Sequence, residues 1–107
     1  MSNRNLKSFG EHLRSLRESQ NLTLKNVAKS IGIDISLLAK IERNERQPSK
    51  QIIKLVSEFF KCDEKELLYN FLSDQIAYII MDEEADLRIL KIAEDKVKYL
   101  KSEKNGK

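Results

Sequence analysis

The chain has 107 residues, with 20 Lys+Arg against 17 Asp+Glu, one Cys, one Pro, three Gly and no Trp, the arithmetic of one small intracellular domain and too little chain for a large enzyme fold. At 40% apolar and 35% charged residues it can bury a modest core, which excludes disorder throughout, and the scarcity of Gly and Pro excludes an all-β sandwich or barrel, which needs turn residues every 8–12 positions. The lone Cys62 excludes an internal disulfide, no apolar run approaches the ~20 residues that span a bilayer, and the opening MSNRNLKSFGEHLR lacks a signal-peptide run, so the expected location is the cytoplasm, with no membrane partner.

The elements read as helices in chain order. Ser8-Phe9-Gly10-Glu11 has the S-x-x-E form of a capping box and opens a helix from Ser8 to about Gln20, with Phe9, Leu13 and Leu16 on one stripe. Thr23 caps a second helix with Leu24, Val27, Ala28 and Ile31 at helical spacing, and Gly32 ends it by taking the left-handed conformation. Asp34 caps a third helix, Ile35 to about Asn44. Placed at 100° steps, Leu38 and Ile41 fall on one side with Leu37 at their flank, whereas Ser36, Lys40 and Arg43 fall on the other, with Ala39 and Ile35 at the border.

A polar loop, Glu45 to Pro48, precedes a helix capped by Ser49 that reaches about Phe60 and whose wide apolar face makes it the main supplier of the core. Asp63 with Glu66 opens another helix through Leu67, Leu68, Phe71 and Leu72; the sequence leaves open whether it breaks at Ser73. Asp82 is the expected cap of a last helix, about Glu83 to Ser102, and SEKNGK reads as a frayed polar tail.

Two short helices joined by a glycine-containing turn, Thr23 to Asn44, form a helix-turn-helix pattern. Ala28 is small where the helices must approach, Gly32 permits the bend, and Leu38 with Ile41 anchors the third helix while its other face stays free. That free face carries Ser36, Lys40 and Arg43, residue types suited to base edges in a DNA major groove: Lys and Arg donate to guanine O6 and N7, and Ile35 or Ala39 at its border can touch a thymine methyl. Thr23, Lys25, Arg46 and Ser49, near helix starts, are the expected phosphate contacts. Charge agrees in sign: residues 1–61 carry 12 Lys+Arg and 6 Asp+Glu, residues 62–107 carry 8 and 11, so the front half is basic and the back half acidic.

The ordered landmarks LT, VA, IG, IERNERQPS and the helix after them resemble the Cro/lambda-repressor helix-turn-helix family, also called the xenobiotic-response-element family, over about residues 8–68. The resemblance implies an all-α fold: a five-helix lambda-repressor-like DNA-binding domain, here 1–68, followed by one or two C-terminal helices in an extension, 69–107. It also implies operator DNA bound by a dimer, with the five residues named above facing bases. Leu24 stands where the family often has a phosphate-contacting Gln, Asn44 where it commonly has Gly, and Ile35 where several members carry a polar reader. Glu42, on the inner edge of the third helix, needs a partner if it is buried; the resemblance supplies Arg17 on the first helix as a structural ion pair.

The remaining polar residues read as structural. His12 lacks clustered ligands, so no metal is expected, and Cys62 beside Phe60 reads as a small buried hydrophobe. Asp82, Glu83, Glu84 and Asp86 are explained by a helix start. With no catalytic constellation and no phosphate-binding glycine loop, no enzyme activity and no cofactor are expected. The extension carries Phe71, Ile76, Ile80, Leu87, Leu90, Val97 and Leu100, more apolar surface than a tail leaves in water, and these are the candidate homodimerisation residues. The leading expectation is therefore a sequence-specific transcriptional regulator, a homodimeric repressor or autoregulator on double-stranded operator DNA, of the same general plan as restriction-modification controller proteins. The alternative is an antitoxin or adaptor that binds a protein partner through its C-terminal helices.

Overall fold

A computed structural model describes residues 6–105 and contains, among them, helices only: α1 (Phe9–Ser19), α2 (Leu24–Ile31), α3 (Ile35–Glu42), α4 (Lys50–Phe60), α5 (Glu64–Asp82) and α6 (Arg88–Asn105). Gly106 and Lys107, the end of the polar tail, lie outside the described residues, as do residues 1–5 of the segment read for a signal peptide.

Side-chain caps start four of the first five helices. The Ser8 hydroxyl accepts from the Glu11 amide at 3.2 Å while the Glu11 carboxylate accepts from the Ser8 amide at 3.0 Å, a full capping box. Thr23 and Asn26 repeat the exchange at α2, with an amide oxygen in place of the carboxylate. Ser49 accepts from the Ile52 amide, and Asp63 accepts from the amides of Lys65 and Glu66. At α3 the expectation is corrected: Asp34 holds the N-cap position but its side chain makes no capping bond.

The first five helices end by turning through a left-handed residue. Gly32 does so at φ 79°, and Asn21, Asn44, Lys61 and Glu84 do so at 56°, 62°, 56° and 51°. After α3 the amide of Glu45 reaches the Lys40 carbonyl and that of Asn44 reaches the Ile41 carbonyl, the paired bonds of a Schellman turn. This turn ends α3 at Glu42, so Arg43 is its C-cap and not a residue of its last turn, a correction to the expected end near Asn44. Likewise α5 runs unbroken through Ser73, and Asp82 is its last residue instead of the next helix's cap. The cap of α6 is Asp86, whose carboxylate accepts from the Arg88 amide at 2.8 Å, and the helix continues past Ser102 to Asn105.

The chain divides into two compact units between Asp74 and Gln75. In the first, Phe9 and Leu13, Val27, Ala28 and Ile31, Leu38 and Ile41, four residues of α4 and Leu67 form one buried apolar cluster. Removing such area from water is the main stabilising contribution, of roughly 1.5–3 kcal/mol for each large aliphatic or aromatic side chain. Gly10 lets α1 lie directly against the end of α3, because a Cβ there would collide with the Ile41 carbonyl oxygen and lie 2.7 Å from that of Glu42. Phe71 packs edge-on against Phe9 at 6.2 Å, so this residue, grouped above with the dimer-forming ones, is engaged inside its own unit. Asp74, one turn on, accepts from the Phe9 amide at 2.8 Å.

The second unit holds the last turns of α5, a turn at 83–87, and α6. None of its described residues is buried. Its acidic and basic side chains pair along α6, Lys91 with Glu94 and Asp95 and Lys98 with Glu94, which leaves its apolar side chains on another part of the surface.

Candidate nucleic-acid interface

The α2–turn–α3 segment is assembled from backbone outward. At the end of α2 the amides of Gly32 and Ile33 both reach the Ala28 carbonyl, at 2.9 and 3.0 Å. The chain then reverses within three residues and enters α3, which fixes the angle between the two helices. Leu38 is wholly inaccessible, and Ile41 and Glu42 are buried beside it. With that side anchored, Ile35, Ser36 and Lys40 are exposed and Ala39 is half-buried between the two faces. Ile35 is 49% exposed, which assigns it to the open face and not to packing.

Glu42 is held by Arg17, whose Nε and Nη2 donate to its two carboxylate oxygens at 2.8 and 2.9 Å, while Nη1 donates to the Leu22 carbonyl at 2.9 Å. The fork therefore ties α1, the α1–α2 turn and α3 together. Hydrogen bonding to Glu42 holds the Arg17 guanidinium protonated more firmly than a free arginine, against a smaller opposing effect of burial. The pair clamps α3 from inside and leaves its outer face free.

Arg43 extends the exposed side from the C-cap position. Its Nε and Nη2 donate to the two Glu45 oxygens at 2.9 and 3.1 Å. Hydrogen bonds to Glu45 push Arg43 further toward the charged form, and those from Arg43 hold Glu45 below the usual carboxylate range. The sequence pattern points to Arg43 and not to Glu45. The available signal was an acidic residue two positions after an arginine in the turn that closes α3.

The four expected phosphate contacts lie at helix starts and in the loop after α3. Lys25 and Arg46 are exposed. The Thr23 hydroxyl donates to the Asn26 side-chain oxygen at 2.7 Å, so its hydrogen is committed within α2, and the Ser49 hydroxyl accepts from the Ile52 amide. At these two positions the cap is the role the geometry displays, leaving the first helical amides and the neighbouring cations to meet an anion.

Elsewhere, His12 is half-buried on α1, and burial, aided by Lys7, pushes its imidazole below the ordinary value. Burial pushes the Cys62 thiol up, away from the reactive thiolate. Among the described residues, no group of three His, Cys, Asp or Glu side chains is arranged to hold a metal ion and no helix is long and apolar enough to cross a membrane.

Comparison with known proteins places this geometry. The helix-turn-helix family model matches residues 13–67. The HTH-type transcriptional repressor RghR of Bacillus subtilis (strain 168) is 35% identical over 65 residues, 60% of this chain and 48% of RghR, so the chain matches about half of that relative's length. The HTH-type transcriptional regulator YazB of the same organism is 34% identical over 59 residues, 55% of this chain and 86% of YazB. Among solved structures, the restriction-modification controller protein C.AhdI from Aeromonas hydrophila superposes with a TM-score of 0.52 at 30% identity, covering 55% of this chain and 89% of that one.

Proposed function

Because the chain belongs to the Cro/C1-type helix-turn-helix family of DNA-binding transcriptional regulators, we propose that it is a homodimeric repressor or autoregulator that reads operator DNA with the exposed face of α3. The observation that carries this reading is the division of α3: Leu38, Ile41 and Glu42 are buried while Ile35, Ser36 and Lys40 face outward from a rigid turn. In this reading Ile35, Ser36, Ala39, Lys40 and Arg43 meet base edges, and Lys25 and Arg46, with the first helical amides after Thr23 and Ser49, meet phosphates. A DNA partner also implies a cytoplasmic location. Two of the proteins it is similar to, a transcriptional repressor and a restriction-modification controller protein, support the repressive and autoregulatory sense.

Residues 1–68 then form the DNA-reading domain, and the extension joins two copies. Support comes from the second unit, whose apolar side chains remain open in the single chain: Ile76 is 50% exposed, Leu87 68% and Leu100 62%. Ile80, Leu90 and Val97 complete the surface, while Phe71, packed on Phe9 in the first unit, is not part of it. Two heads joined this way would place their third helices in successive major grooves about 34 Å apart. The same open face favours a second reading, a C-terminal surface for a different protein.

The test is the light-scattering mass of the full chain, alone and with a duplex from the region upstream of its own gene. A mass of twice 12.5 kDa and protection of one pseudo-palindromic site support the dimeric regulator. A monomer with sequence-blind binding would transfer the weight to the protein-partner reading.

A further inference from the structure

The basic half of the chain carries six acidic residues, and three of them have an evident structural task. Glu11 completes a cap, Glu18 pairs with Arg14, and Glu42 closes on Arg17. Glu45 differs, because it is exposed beside the face assigned to DNA, where a carboxylate would repel phosphates. Its ion pair with Arg43 is also exposed on both sides, so the pair adds little to folding.

Its geometry is nonetheless fixed. Asn44 sits in the left-handed conformation between the two residues, the Schellman bonds from Glu45 to Lys40 and from Asn44 to Ile41 hold the turn, and the Asn44 side-chain amide donates to the Ser8 hydroxyl at 2.9 Å. The backbones of Arg43 and Glu45 are thereby set against α1 as well as α3. Glu45 meets Arg43 through Nε and Nη2, the side edge of the guanidinium. A guanidinium has five N–H donors in a planar fork, and occupying that edge leaves the outer hydrogens of Nη1 and Nη2 parallel and free. Such a pair matches the O6 and N7 acceptors of guanine in the major groove.

We propose that Glu45 is a positioning and specificity-determining residue: it holds the Arg43 guanidinium edge-on so that the free edge reads one guanine per half-site, and its charge discourages the same arginine from settling on a phosphate. This rests on the DNA-reading function proposed above. Glu45 makes no contact with the base in this arrangement; it acts through Arg43. Lys40, whose charge also acts on Glu45, stays free to make its own contact.

The experiment is selection from a randomised duplex pool by the full-length protein, by Arg43→Ala, and by Glu45→Ala and Glu45→Gln, with thermal melts of each. The wild type should enrich a site with a defined guanine in each half. Arg43→Ala and Glu45→Ala should both weaken the preference at that position by roughly tenfold, with Glu45→Gln between, and leave other positions and the melting temperature unchanged. Glu45→Ala should bind mixed-sequence duplex as tightly as the wild type or more so, a change that a structural role would not produce. If Arg43→Ala erases the guanine preference and Glu45→Ala keeps it in full, or if Arg43→Ala moves no position, the assignment to Glu45 is overturned while DNA reading stands. If the wild type enriches no sequence, the underlying function fails with it.

Discussion

Arg17 grips both carboxylate oxygens of Glu42 at 2.8 and 2.9 Å, and the two side chains are only 12% and 4% exposed. A pair this deep costs desolvation on both sides, and its partners become a liability when separated. Either single alanine substitution is expected to destabilise the protein by about 3 kcal/mol or more. Arg17→Ala should be the worse of the two, since it leaves the deeper group alone and releases the Leu22 carbonyl. Thermal melts of both singles and the double variant check this, with the double less destabilised than the sum. Additive losses would mean that the two residues act independently.

Gly10→Ala tests the seat of α1 on α3. The added methyl would meet the carbonyl oxygens of Ile41 and Glu42 and the Asn44 side-chain oxygen, two of them backbone atoms that cannot swing aside. A loss of roughly 1–3 kcal/mol is expected, measured by denaturant titration. Because the displaced segment is the end of the recognition helix, affinity for a bound duplex should fall as well. A variant as stable as the wild type would show that the helices can separate without cost.

Those two contacts illustrate what the sequence could and could not reveal. Caps at Ser8, Thr23, Ser49 and Asp63 are legible because a hydroxyl or carboxylate and its amide lie within three residues of each other. The open and buried sides of α3 are legible for the same reason, since 100° periodicity is local. The ends of helices were harder: Lys61 and Glu84 adopt the left-handed turn without glycine or asparagine, and nothing in a lysine or glutamate announces it. Choosing between Asp82 and Asp86 as a cap required knowing that the Ile80 carbonyl accepts from Ala85 and so carries the preceding turn to its end. The Gly10 approach and the Asp74 bond to Phe9, 65 residues apart, depend on packing that no local pattern encodes.

His12 gives the pH dependence a sign. Burial lowers its pKa in the folded state below the unbound value of 6.5, so the unfolded chain takes up the proton more readily. Its contribution to stability is complete above that value and is lost as pH falls through the lowered one. Melting temperatures measured between about pH 7.5 and about pH 5 should fall more for the wild type than for His12→Gln, with Asp74 present in both. Equal falls would remove His12 from the effect.

Lys25 and Arg46 are predicted to meet phosphates and not bases. Replacing either by alanine should weaken binding alike on all duplexes and reduce the magnitude of the log affinity against log salt slope by about 0.9. A sequence-dependent loss from either variant would place that side chain in the groove instead.

The most direct test of the central claim, that the open face of α3 reads DNA, is a salt titration of the wild type and Lys40→Ala on the upstream duplex and on a scrambled one. The account predicts log affinity falling linearly with log salt for both proteins. It also predicts a wild-type preference for the upstream duplex that Lys40→Ala reduces by about 1–3 kcal/mol, with no change in melting temperature. A flat salt response, or identical affinities for the two duplexes, would contradict it.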